Sequence, residues 1–110
     1  MAIRVEIQTF EDGEIRPRQA SAYLTSEPGL VVQRDSGRGG KWLPTWAVTH
    51  RASGYRVVGG FRTRQAALGY AAEIAAVADW TEDRETLLAQ AAELTPKLRL
   101  LRERFKGHSV

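Results

Sequence analysis

Short strand-like runs bounded by turn residues extend up to Phe61 and apolar residues recur at helical spacing after Thr63, so this chain spends its first part on strands and its last part on helices. Elements segregated in this way build an antiparallel sheet with helices against it, an α+β fold, rather than alternating β-α units. Ile3-Arg4-Val5-Glu6-Ile7-Gln8 reads as a half-buried strand that ends at Glu11-Asp12-Gly13-Glu14. Arg16-Pro17-Arg18 reads as a loop, Ala20 to Thr25 as a second strand and Ser26-Glu27-Pro28-Gly29 as a turn. Leu30 to Arg34 forms a third strand, and Asp35 to Gly40 a glycine-rich loop. Thr45 to His50 and Tyr55 to Phe61 complete a hairpin around Arg51-Ala52-Ser53-Gly54, with Gly54 placed for a left-handed conformation. The sheet therefore has three to five strands.

Thr63 is suited to cap a helix opening at Arg64, whose apolar stripe is Ala67, Tyr70, Ala71, Ile74, Val77 and Ala78. The many alanines let this helix lie close on the sheet. Thr81, followed by Glu82, Asp83 and Glu85, opens a second helical segment. Leu87, Ala91, Leu94, Leu98, Leu101 and Phe105 form a heptad-like seam along it, interrupted at Thr95-Pro96. That segment is one long helix kinked at the proline, or two short helices. A chain of 110 residues, 43% of them apolar, buries one core and is too short for two ordinary domains. Residues 1–110 are read as one domain, mainly β over 1–62, with a helix over 63–79 and the helical segment over 82–106.

Cysteine is absent, which excludes disulfides and thiolate chemistry. The N-terminus lacks the apolar run of a signal peptide, and the longest apolar stretch, Ile74 to Ala78, is far too short to span a bilayer. A soluble, cytoplasmic protein without a membrane partner is expected.

Charge is segregated as sharply as periodicity. Between Arg34 and Arg64 lie seven basic residues (Arg34, Arg38, Lys41, Arg51, Arg56, Arg62 and Arg64) and a single acid, Asp35, so this block is about +6 while the flanks are −2 and −1. Thirteen of the sixteen basic residues are Arg and Asn is absent, the signature of a GC-rich genome. Codon bias explains the choice of Arg over Lys but would spread it evenly, so the clustering points to an anionic partner. Simple closure of the hairpin sets His50 opposite Tyr55, Val48 opposite Val57 and Trp46 opposite Gly59. Side-chain alternation then puts Ala47, Thr49, Arg51, Arg56 and Val58 on the other, basic face. Two readings follow: an open face that meets nucleic acid through Arg34, Arg38, Lys41, Thr49, Arg51, Arg56, Arg62 and Arg64, or the solvated face that any antiparallel sheet presents. A two-stranded ribbon fits the major groove of duplex DNA, so DNA is the partner expected first and RNA second.

A strand with Trp46 and Val48, a turn at Gly54, a strand with Tyr55 and Val57, then Phe61-Arg62-Thr63 leading through Ala66 and Ala67 into an Ala-rich helix resembles the N-terminal module of many tyrosine recombinases. That module, a three-stranded sheet plus a helix, has also been likened to the plant AP2 domain. The resemblance covers residues 30–78 and implies a sheet that enters the major groove of arm-type DNA, with Arg34, Thr49, Arg51 and Arg56 at the DNA. The style of the whole chain is similar to that of small proteins of actinobacterial phages and mobile elements.

No other motif adds chemistry. Ser36 to Trp42 is not a Walker A loop, because Trp42 stands where Ser or Thr would hold magnesium. Trp42 either stacks on a base or a partner protein, or is buried at one end of the sheet. His50 and His108 have no metal-ligand spacing, and Asp79, Glu82, Asp83 and Glu85 read as helix-capping acids. No catalytic residue, metal or cofactor is expected. The seam of Leu87, Leu94, Leu98, Leu101 and Phe105 packs on the chain's own sheet, or on a second copy or host protein together with Trp42. The alternative function is accordingly a phage or mobile-element protein that modulates a host protein or nucleoprotein complex.

Overall fold

The computed structural model describes residues 2–11, 13–37 and 41–108. Five strands, β1 (Ala2–Glu11), β2 (Glu14–Leu24), β3 (Leu30–Ser36), β4 (Trp42–His50) and β5 (Arg56–Phe61), form one antiparallel sheet in chain order. Strand β2 runs straight through Arg16-Pro17-Arg18, expected as a loop. Proline is accommodated because β2 pairs with β3 only at Tyr23 and Leu24, while its distal end pairs with β1 alone. The missing N–H at Pro17 falls on a free edge, where no ladder bond is lost.

The register of β4 and β5 differs from simple hairpin closure. His50 N–H does donate to Tyr55 O (2.9 Å), but Thr49 then pairs with Arg56, Val48 with Val58 and Trp46 with Phe61. Each step inserts extra residues in β5, so Val57 and Gly59 are not the partners of Val48 and Trp46. Bulges of this kind bend and twist a strand. Here they turn both Val57 and Val58 toward the helices.

The sheet curls until β1 meets the turn between β4 and β5, where Gln8 N–H donates to Gly54 O (2.9 Å). Its two faces therefore bury two cores. Inside the curl, Val5 and Ile7 of β1 pack with Ala20, Ala22 and Val31. On the outer face, Leu30, Val32, Val48 and Phe61 pack against three helices, α1 (Arg64–Ile74), α2 (Arg84–Ala89) and α3 (Ala91–Glu103). Full burial of such a side chain stabilises the fold by about 1.5–3 kcal/mol. Helix α1 lies against β3, β4 and β5, burying Ala66, Ala67, Tyr70, Ala71 and Ile74. Its N-cap is Thr63, whose hydroxyl accepts from Ala66 N–H (3.1 Å).

The second cap is Asp83 rather than Thr81: its carboxylate accepts from Thr86 N–H (2.8 Å), while Thr81 is engaged with Asp79. The break in the C-terminal segment falls at Gln90, and Pro96 lies inside α3 instead of marking the interruption. Tyr70 ties α1 to α3 by donating its hydroxyl to Leu98 O (3.0 Å). Burial pushes its phenol up to about 12 from the ordinary 10, against a smaller opposing pull from Arg102. An acid raised on folding stays neutral longer in the folded state than in the unfolded chain. Stability from Tyr70 is therefore fully present below pH 10 and lost as pH rises toward 12. Tyr70→Phe is expected to flatten that alkaline fall, and urea midpoints measured between pH 9 and pH 12 check it.

Candidate nucleic-acid interface

The face that register alone marks as open and basic is the inside of the curl. Thr49 is only 1% exposed, and its β3 partner, Val31, belongs to the inner core. It cannot reach a phosphate, which corrects its assignment as a contact residue. Its hydroxyl and the Oε1 of Gln33, a neighbour on the same face, have no hydrogen-bond partner among the described residues. A buried, unpaired hydroxyl costs free energy, so Thr49→Val is expected to hold or raise the melting temperature. A fall of several degrees in a thermal melt would show the hydroxyl to be bonded. Arg56, at the rim of this face, donates through Nε to Asp35 Oδ1 (3.1 Å). Asp35 is buried and also accepts from Thr45 Oγ1 (2.8 Å) and Gly60 N–H (2.9 Å). The single acid of the basic block thus offsets Arg56 and holds the irregular ends of β3, β4 and β5 together.

The outer face carries the exposed charge. Antiparallel partners share a face, and Tyr23, Val32 and Val48 are successive partners across β2, β3 and β4 on the helix side. Alternation puts Gln19 and Ser21 of β2, Arg4 of β1, which pairs with Ser21, and Arg34 of β3, which pairs with Trp46, on that same side. The helices cover its β3–β5 half. Beside them Arg4, Gln19, Ser21 and Arg34, with Trp42, Leu43 and Pro44, line an open hollow of about 560 Å³. Among the described residues its lining contains no acid.

Aromatic rings hold the arginines around this hollow. The Arg34 guanidinium sits 4.7 Å from the centre of the Trp46 ring, Arg18 4.2 Å from Trp42, and Arg64, in the first turn of α1, 4.2 Å from Tyr23. Tyr23 and Trp46 themselves meet edge to face at 6.0 Å. Stacking engages the flat face of a guanidinium and restricts the side chain before any ligand arrives; Arg34 also donates to Leu43 O (3.5 Å), and Arg18 lies 4.0 Å from Glu11. Trp42 is 41% exposed, so it does not close the sheet as a buried residue.

The basic block is thus divided. Arg34 and Arg64 converge on the outer face, and Lys41 is exposed next to Trp42. Arg38 lies outside the described residues. Arg51 is exposed at the opposite end of β4, where its N–H donates to Gly29 O (2.9 Å), and Arg62 is exposed just after β5. Arg4, Arg18, Gln19, Ser21 and Tyr23 were not singled out from the sequence. Period two already set Arg4 on the face opposite Val5 and Ile7, but only the pairing of β1 with β2 and the curl of the sheet bring it to Arg34.

The C-terminal seam is turned inward. Leu87 and Leu94 are buried in the outer core, with Leu98, Leu101 and Phe105 packed against it. Phe105 meets Phe61 and Tyr70 edge to face at 6.2 and 5.8 Å. Of the two readings of this seam, packing within the chain holds for Leu87 and Leu94, which are buried, while Leu98, Leu101 and Phe105 pack on the same core and stay partly exposed. Asp79 and Asp83 are held below the ordinary carboxylate range by hydrogen bonds from Thr81 and Thr86, as capping acids are. His50, buried at the end of β4, joins two segments: Nε2 donates to Glu82 O (2.8 Å), which leaves Nδ1 to accept from Ser53 Oγ (2.6 Å). Ser53 Oγ in turn accepts from Tyr55 N–H (3.2 Å), so both side chains serve the turn. Among the described residues no group of His, Asp or Glu is placed to hold a metal ion, and no helix is long and apolar enough to cross a membrane. Compared with protein-family models, with curated proteins and with solved structures, the chain matches none.

Proposed function

We propose that the protein binds nucleic acid, DNA before RNA, through the outer face of its sheet and catalyses no reaction there. The observation that carries this reading is the hollow bounded by Arg4, Arg34 and Trp42, where cations and exposed aromatic surface meet with no acid among the described lining residues. Phosphates would be taken by the guanidinium edges of Arg34 and Arg64, whose flat faces already rest on Trp46 and Tyr23. The four residues that the recombinase resemblance would bring to DNA are spread over three places, with only Arg34 at this face. The proposal therefore rests on the outer face and not on that module's docking.

Each neutralised phosphate releases condensed counterions, so affinity must fall steeply with salt, with a log-log slope of about −0.9 per contact on duplex DNA and −0.7 on single strands. Arg4→Ala and Arg34→Ala are each expected to weaken binding of labelled 20-mers and to make the slope shallower by about one. Arg99→Ala, which removes an exposed charge on α3, leaves the slope unchanged. Fluorescence anisotropy at two salt concentrations measures all three. Absence of salt-dependent binding to duplex DNA, single-stranded DNA and RNA at low ionic strength would sink the proposal.

That outcome would favour the second reading, a protein that modulates a host complex, for which one observation speaks. Phe10 and Ile15 are cross-strand partners near the end of the β1–β2 hairpin, and they are 66% and 54% exposed. Paired apolar side chains left in water on a projecting hairpin are a feature of protein contact sites.

A further inference from the structure

We infer, on the basis of the nucleic-acid reading, that the hollow takes an unpaired base of single-stranded DNA, with the Trp42 indole as its stacking platform. In a duplex both faces of every base are covered by its neighbours, so a flat aromatic side chain finds a base face only in a single strand or a flipped nucleotide. Trp42 offers such a face. Arg18 lies over its ring at 4.2 Å, and the indole, 41% exposed, forms part of the wall of the hollow. A base entering there extends an arginine–indole stack by one layer.

The rest of the lining matches the rest of a nucleotide. Arg4 and Arg34 line the hollow with Trp42 and supply cations for the flanking phosphates, and Gln19 carries both a donor and an acceptor for a base edge. A volume of about 560 Å³ falls within the range of small-ligand pockets, about 300–1,000 Å³. Leu43 and Pro44, side by side on β4, give the sugar an apolar wall, and Leu43 is 40% exposed. A deoxyribose suits that wall, whereas a 2′-hydroxyl would lose water against it. The ribbon face that a duplex major groove would need is folded inside the curl, with Thr49 at its centre.

The test uses the full chain and four probes of equal length: a dT 20-mer, the same phosphodiester backbone with abasic sugars, a 20-base-pair duplex and a U 20-mer RNA. Stacking is worth about 1–3 kcal/mol per base, which is a factor of about five to a hundred and fifty. The dT strand is expected to bind at least tenfold tighter than the abasic strand and the duplex, to bind more tightly than the RNA, and to quench tryptophan fluorescence. Trp42→Ala should lose that tenfold advantage while keeping the salt slope. Trp42→Phe should keep most of the affinity and lose most of the quenching, since Trp80 is buried and Trp46 is covered by Arg34. The surface position of Trp42 means that both variants should fold, and circular dichroism checks this. Duplex or abasic binding as tight as dT, or Trp42→Ala with undiminished preference, overturns the inference while leaving nucleic-acid binding in place. Tighter binding of the RNA overturns the choice of DNA. Failure of every probe at low salt removes the proposed function and this inference together.

Discussion

Phe61→Ala is expected to lose about 3–5 kcal/mol of stability, the cost of emptying an aromatic site in a packed core. Phe61 is fully buried, and its ring centre lies 5.3 Å from that of Tyr70 and 6.2 Å from that of Phe105, with the Arg102 guanidinium 4.0 Å away. These neighbours come from α1, from α3 and from the residues just after it, so one truncation loosens the sheet from both of the longer helices. Arg102 would be left beside a cavity while still donating to Gly59 O (3.3 Å). Domains of this size hold about 5–15 kcal/mol in total, so the variant should be marginal at ambient temperature. Leu100→Ala, at a side chain 73% exposed on α3, is the control and should fall within about 0.5 kcal/mol of the parent. Urea denaturation of the two variants decides the matter. Comparable losses would mean that α3 presents a different face to the sheet.

How far the sequence discloses this architecture depends on which interactions are local. Alternation in Ile3–Gln8 and Leu30–Arg34 marks strands because a half-buried strand needs nothing beyond its own period of two. The cap at Thr63 is legible for the same reason, since its acceptor and donor are three residues apart. The faces are another matter. Thr49 looks like a polar residue on a solvated face, and no local signal says that β1, more than forty residues earlier, will fold across it. Arg56 reads as a free cation until Asp35 is brought to it across two bulges. The bulges were hidden because Val57-Val58-Gly59-Gly60 supports more than one register, and only packing against α1 and α3 decides which valine faces inward.

The same division explains the interface. Arg34 and Arg64 were found because they belong to a cluster in sequence, whereas Arg4 and Arg18 sit in a stretch whose net charge is negative. Glu11 lies near Arg18 (4.0 Å) and Glu14 pairs with Arg16 (3.1 Å), whereas Glu6, the cross-strand partner of Gln19, shares the face of Arg4 without lining the hollow. Net charge over a segment averages away what a sheet separates by face. The seam was recognisable as apolar, but spacing alone does not name its partner. The edge-to-face contacts of Phe105 with Phe61 and Tyr70 do.

Gly54→Ala is expected to be strongly destabilising, because two separate penalties meet at one residue. Its φ of 76° lies in the left-handed region that side chains disfavour by about 1–2 kcal/mol. A Cβ there would also lie 2.5 Å from Glu6 O and 2.9 Å from Ile7 Cα, so β1 would have to move away. Moving β1 breaks the Gln8 N–H to Gly54 O bond and lifts Val5 and Ile7 off Ala20, Ala22 and Val31. Gly13 provides the comparison: its φ is 80°, yet nothing lies within 4 Å of where a Cβ would be. Gly13→Ala thus carries the conformational penalty alone, and the difference between the two variants isolates the closure of the curl. That difference should be at least about 2 kcal/mol, on the scale of overpacking against an unyielding neighbour. Amide exchange at Gln8 should accelerate in Gly54→Ala and stay slow in Gly13→Ala. Equal destabilisation of the two, with Gln8 exchanging fast already in the parent, would mean that β1 does not rest on the turn and that the inner face, with Thr49, is open to solvent after all.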